Sequence, residues 1–204
     1  KVAEDVEIKN QMKVESLNAM FGALICDAYT VPQYSFDIDG EIAENTTLVI
    51  PQQGYTGTLN LNFKSLATSE SAIFTIQQNG GYNAGMEVNL NFNAANEGQY
   101  VIANMPSSAV NLLSGHFATF EVWTTNLYIA DGVTIDNLIV HGGNIRVAEE
   151  GKITGSITNQ GGELVYVVLE EGATAENNLP AEENIGENIE ITTINHTVTI
   201  ENVE

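Results

Sequence analysis

Three acidic residues each followed by glycine, Asp131-Gly132, Glu150-Gly151 and Glu171-Gly172, return 19 and then 21 residues apart. Carboxylates that recur at one interval come together when a chain winds, and stacked at a corner about 5 Å apart they repel one another. Such a row is either solvated or occupied by a hard cation. Calcium, which takes oxygen ligands, is the ion that suits Asp131, Glu150 and Glu171. The Gly-Gly-x-Gly-x-Asp pattern of calcium-binding nonapeptides is absent, because Gly142-Gly143 and Gly161-Gly162 lack the downstream Gly-x-Asp. A solvated acidic edge is therefore the plain expectation and a calcium site the sharper one. No other cofactor is implied.

The remaining chemistry is thinner. Glycoside hydrolysis needs two carboxylates flanking the bond, and Asp131 with Asp136, or Glu149 with an acid one coil away, would supply a pair. Lyase chemistry needs a base, and Arg146 near Lys152 is the candidate, but their spacing carries no signal. His116, His141 and His196 have no metal-ligand spacing and no acid three or four residues away, so zinc is not expected. Cys26, the single cysteine, lies in an apolar run without a cationic neighbour and reads as a buried inert thiol. Phosphate-loop, dinucleotide and nucleophile-elbow motifs are absent. For binding, Trp123, Tyr128 and Phe120 form the nearest aromatic cluster, with His141 and Arg146 as polar neighbours. Trp123 also fits a core or corner plug, and strand alternation puts Phe120 and Val122 on one face.

These residues need elements to hold them, and residues 126–173 repeat. The stretch reads NLYIADGVTIDNLIVHGG, NIRVAEEGKITGSITNQGG, ELVYVVLEEGA. Short aliphatic strands follow His141-Gly142-Gly143 and Gln160-Gly161-Gly162, at a period in the solenoid range. A right-handed parallel β-helix is the expected fold, all-β, with equivalent residues stacked in ladders. The glycine after each acid marks a corner that needs positive φ. Inward positions are Leu127, Ile129, Val133, Ile135, Leu138, Val140, Ile145, Val147, Ile153 and Ile157. Leu164 and Tyr166 continue the row, unless a shifted register substitutes Val165 and Val167.

Upstream, Leu17, Met20, Phe21, Leu24, Ile25 and Ala28 fall at helical spacing after Ser16, a candidate N-cap. Residues 1–35 thus read as an N-terminal cap whose amphipathic helix covers the open end of a β-helix domain at 36–204. Within it, 36–105 are irregular coils, 106–175 regular coils and 176–204 a closing coil. Leu59-Asn60-Leu61-Asn62-Phe63 and Val88-Asn89-Leu90-Asn91-Phe92 alternate strictly, with asparagine outward. Residues 40–105 also fit a small antiparallel sandwich; a continuous helix is favoured because no linker intervenes. Residues 189–193 and 197–200 form a C-terminal strand pair.

Composition narrows the partners. The 204 residues carry 27 acids against 6 bases, a formal net charge of −21, with 43% hydrophobic residues to build a core. That balance disfavours nucleic acid and anionic lipid, and leaves a glycan or a protein surface. No apolar run is long enough to span a bilayer, and the chain starts at Lys1, consistent with removal of an export signal.

The phrase N-L-x-I-x-D-G-V-T-I-x-N-L-x-V-x-G-G over 126–143 resembles coils of bacterial surface adhesins and autotransporter passenger domains, which are pectin-lyase-like β-helices. The resemblance covers 126–173 well and 40–115 in texture, and implies an exported or surface-bound protein with no catalytic residues to carry over. The expectation is a non-catalytic adhesin-like module that contacts glycan or protein, or acts as a spacer. The alternative is a carbohydrate-active β-helix enzyme.

Overall fold

A computed structural model describes residues 5–9, 16–17, 33–42, 45–50, 57–68, 72–78, 86–92 and 99–194. The strands are β1 Asp5–Lys9, β2 Ser16–Leu17, β3 Gln33–Ile42, β4 Thr46–Ile50, β5 Gly57–Thr68, β6 Ile73–Gln78, β7 Met86–Phe92 and β8 Gln99–Asn104. They continue with β9 Ser108–Ser114, β10 His116–Trp123, β11 Asn126–Ile129, β12 Thr134–Val140, β13 Asn144–Val147, β14 Lys152–Asn159, β15 Val165–Leu169 and β16 Ile189–Thr193. A short helix α1, Ala175–Asn178, and a 3₁₀ turn, Glu182–Asn184, lie between β15 and β16.

Successive strands alternate between two parallel sheets. The first holds nine strands in the order β1-β3-β5-β7-β9-β11-β13-β15-β16, and the second seven, β14-β12-β10-β8-β6-β4-β2. Up to β15 each coil therefore contributes one strand to each sheet, as a parallel β-helix requires. Strands β4 to β8 are parallel and extend both sheets, so the described strands between 40 and 105 belong to the same solenoid rather than to an antiparallel sandwich. Partners one coil apart are Leu127↔Ile145 and Phe120↔Leu138 in the regular part, but Leu59↔Val88 and Leu48↔Ile76 upstream, where the loops are longer.

Period-two alternation sends every second residue into the space between the sheets. Leu59, Val88, Val110, Leu127, Ile145 and Val167 form one inner row of the first sheet, all buried. Phe74, Val101, Phe120, Leu138 and Ile157 form the facing row of the second. In the wider coils the gap is filled by aromatic rings: Phe63 stacks on Phe92 at 4.3 Å, and Phe117 meets Phe92 edge-on at 5.1 Å. The last regular coil takes the shifted register: Val165 and Val167 are buried, while Leu164 and Tyr166 are 48% and 40% exposed.

The amphipathic helix expected after Ser16 lies outside the described residues, apart from Ser16 and Leu17. Those two form β2 and pair with Thr47 and Leu48, so Ser16 is in a strand rather than at a helix cap. Strand β1 pairs with β3, and β3 runs across position 35, so the described residues on either side of that position share one sheet. Cys26, His196 and the strand expected at 197–200 are outside the described residues. In the last coil α1 and the 3₁₀ turn occupy the second-sheet seat beside β14, and Ile185 bridges Ile157.

The corners show why glycine recurs, and for two different reasons. Val133 N–H donates to Ala130 O, Gly151 N–H to Ala148 O and Ala173 N–H to Glu170 O, which defines three equivalent four-residue turns. Gly132 and Gly172 stand third in their turns, with φ of 77° and 88°, the position where a type II turn needs positive φ. In the middle turn that place belongs to Glu150, and Gly151 comes one residue later. A Cβ on Gly151 would come within 2.8 Å of the Ile129 carbonyl oxygen, so close approach, not φ, excludes a side chain there. Gly143 combines both constraints: φ is 80° and a Cβ would land on the Thr124 and Thr125 carbonyls. Gly132→Ala, with open space around it, should cost about 1–2 kcal/mol for the left-handed backbone alone. Gly143→Ala should cost clearly more in the same urea unfolding measurement; equal losses would contradict this reading of the corner.

Candidate functional site

Parallel stacking places the same outward position of successive coils about 4.8 Å apart, so side chains there meet across coils. On the first sheet this makes an asparagine ladder. Asn89 Nδ2 donates to Asn60 Oδ1, Asn111 Nδ2 to Asn89 Oδ1 and Asn91 Nδ2 to Asn62 Oδ1, each at 2.8 Å. The near-verbatim repeat of Leu-Asn-Leu-Asn-Phe is thus an inner ladder and an outer ladder written in one phrase. The outer row continues through Tyr128 and Arg146. The Arg146 guanidinium lies over the Tyr128 ring, 5.9 Å from its centroid, and is ion-paired with Glu170. Burial and the Glu170 and Asp131 charges push the Tyr128 phenol up, and Arg146 partly offsets them.

The second sheet carries the denser cluster. Glu121 Oε2 accepts a 2.5 Å hydrogen bond from Tyr100 OH, and its Oε1 lies 2.8 Å from His141 Nε2. Glu121 and His141 are each only 14% exposed. The His141 ring stacks on Trp123 at 3.6 Å with 6° between the planes. The register explains the contact: Val122 pairs with Val140, which brings the next residues, Trp123 and His141, side by side. The Tyr100–Glu121–His141 chain runs diagonally across three strands. The Glu121 hydrogen bond, burial and the Glu121 charge together push the Tyr100 phenol up to about 12, because losing its proton would set two anions against each other. A second diagonal links His116 Nε2 to Asp136 Oδ1 at 3.0 Å, and the same oxygen accepts from Thr154 Oγ1 at 2.9 Å.

The four residues expected to bind do not converge. Trp123 and His141 belong to the second sheet's outer face, Tyr128 and Arg146 to the first. Nor do the aromatics form an open platform: Phe120 is buried, His141 covers one face of Trp123 with Asn104 in register on its other side, and Arg146 lies over Tyr128. Tyr100, Glu121 and the two histidine–carboxylate pairs escaped the sequence reading, which looked for acids three or four residues away. Both histidines find their acid 20 residues away, one coil of 18 plus the two-residue step to the diagonal neighbour.

The acidic corner needs a correction of register. Asp131 and Glu171 hold the second place of their turns, and the aligned residue between them is Glu149, not Glu150. Asp131 Oδ1 instead accepts the Glu150 backbone N–H at 2.9 Å. Glu149 and Glu150, with Lys152, Thr134 and Asn177, line a cleft of about 550 Å³ beside α1. Among the described residues no three His, Cys, Asp or Glu side chains are grouped to hold a metal ion. Arg146 and Lys152 lie on different sheets, in β13 and β14, so they do not form a common basic site. No described helix is long and apolar enough to cross a membrane.

Comparison with family models, with characterised proteins and with solved structures finds no match to the chain.

The phenol–carboxylate bond has a pH signature. With the folded Tyr100 pKa raised, its stabilising contribution is complete below about pH 10, the ordinary phenol value, and is lost as pH rises through about 12. Unfolding free energy of the parent should therefore fall over that window more steeply than that of Tyr100→Phe. Parallel curves for the two proteins would contradict the assignment.

Proposed function

We propose that the chain is a non-catalytic exported module of a bacterial cell surface, a stiff β-helical spacer whose outer faces and edges contact glycan or protein. The observation that carries this reading is how the outward polar groups are used. The asparagine ladder, Tyr100–Glu121–His141, His116–Asp136–Thr154 and Arg146–Glu170 each tie one coil to another. Side chains held in this way brace the solenoid and offer a fixed polar surface that loses little entropy on contact. The acid excess and the adhesin-like phrase over 126–143 support a surface location.

A carbohydrate-active enzyme is the second reading, and one observation favours it: His141 is oriented by Glu121, the arrangement of a general base. A glycan array read beside a reducing-sugar release assay, each with and without calcium, separates the two. The spacer reading expects no product from any polysaccharide. Release of product, abolished by Glu121→Gln, would overturn it. A calcium-dependent gain in array binding would assign an ion to the acidic corner, and identical results with and without calcium would remove calcium from the reading.

A further inference from the structure

The outer faces of the two sheets are built from different chemistry. On the first sheet the outward residues of β7, β9, β11 and β13 include Asn89, Asn91, Asn111, Asn126 and Asn144. From β7 to β15 only two charged side chains point outward on that face, Glu87 and Arg146, and they cancel. Each is also answered locally: Glu87 accepts a 2.6 Å hydrogen bond from Asn111, and Arg146 pairs with Glu170. The next charge along the face, Glu190, borders it on β16 beside Tyr166. The second sheet instead turns Glu121, Asp136 and Lys152 outward on β10, β12 and β14, with His116 and His141 beside them. In a chain of 27 acids and 6 bases, a face of amides without net charge is a local exception.

The amides are held in place but not exhausted. An asparagine side chain has two N–H donors and a carbonyl oxygen with two lone pairs. Asn89 and Asn91 each direct one donor to the coil before. The Asn126 side chain makes no hydrogen bond to a described residue. Asn144 Oδ1 accepts the Tyr166 backbone N–H at 3.4 Å, which engages its oxygen and not its donors. Apolar exposure falls on the same face. Tyr166 is 40% exposed and Leu113 36%, whereas among the described residues no large apolar side chain on the second sheet's outer face is exposed to that degree.

Building on the reading of the outer faces as contact surfaces, we propose that the first sheet's face around Asn126, Asn144 and Tyr166 binds a neutral glycan chain. A sugar hydroxyl donates and accepts as an amide does, so neighbouring amides match vicinal hydroxyls with no charge to desolvate. The Tyr166 ring supplies apolar area for the carbon face of a pyranose. A basic protein finds stronger partners among the carboxylates elsewhere on the chain, and an acidic polymer is repelled by the net charge of −21.

The test titrates the full chain by calorimetry with soluble neutral oligosaccharides (cello-, manno- and xylo-oligomers). Oligogalacturonate serves as the acidic probe and chitosan oligomers as the basic one. Binding of a neutral series, and of neither charged probe, is expected. Asn126→Asp with Asn144→Asp keeps the acceptors but loses the donors, and should raise Kd about tenfold, the effect of one or two ordinary hydrogen bonds. Tyr166→Ala should weaken binding as well, and stands in if the acidic pair does not fold. Thr158→Asp with Gln160→Glu adds the same charge to the second sheet's side and should leave Kd unchanged. Neutral-glycan binding that the Asn126 and Asn144 substitutions leave intact overturns the assignment of the face, while the contact reading survives. Preference for a charged probe, or binding of no probe, overturns the neutral-glycan partner and leaves a protein contact or a spacer. Release of reducing ends during the titration overturns the non-catalytic reading beneath it.

Discussion

A strand in this chain has no hydrogen-bonding partner within its own coil. Its amides and carbonyls must be satisfied by the coils before and after, and that obligation governs the rest. It forces the strands to be parallel and in register, which turns each inward position into an aliphatic row and each outward position into a row of like or complementary groups. Among the described residues, the free side of β14 meets that obligation in the second sheet with α1 and the 3₁₀ turn.

Corners obey the same rule from the inside. A coil can stack only if its turn does not push its neighbour away, so Gly143, Gly151 and Gly161 lack side chains where a Cβ would strike a carbonyl of the preceding coil. Gly132 and Gly172 answer a different need, the positive φ of a tight turn. Because both needs select glycine, the two are indistinguishable in the sequence. The acid-glycine pairs read as three copies of one corner, whereas Glu150-Gly151 is slipped by one place and the stacked acid is Glu149.

Much of the fold was legible for a simple reason: a period near 19 residues and strict alternation are one-dimensional signals. They located the regular strands and inner rows, and they left 164–167 open between two registers that burial resolves in favour of Val165 and Val167. The outer cluster was not legible, because its partners lie one coil plus two residues apart and that offset has meaning only once the coil length is known. Glu121 and His141 are 20 residues apart, which no local window links. The closing segment was equally hidden, since residues 176–204 read as a closing coil while the seat beside β14 rests on Asn178, a residue type at home in any turn. Trp123 reads as a plug or a platform; in the structure it is half-buried, with the His141 imidazole stacked on it.

The account stands or falls on whether outward side chains couple successive coils. A double-mutant cycle on Glu121→Gln and His141→Gln, measured by urea unfolding near neutral pH, addresses this directly, because the two residues touch only through the stacking of β10 on β12. The account predicts a coupling of about 0.5 kcal/mol or more between them. Losses that add to within about 0.3 kcal/mol would contradict it.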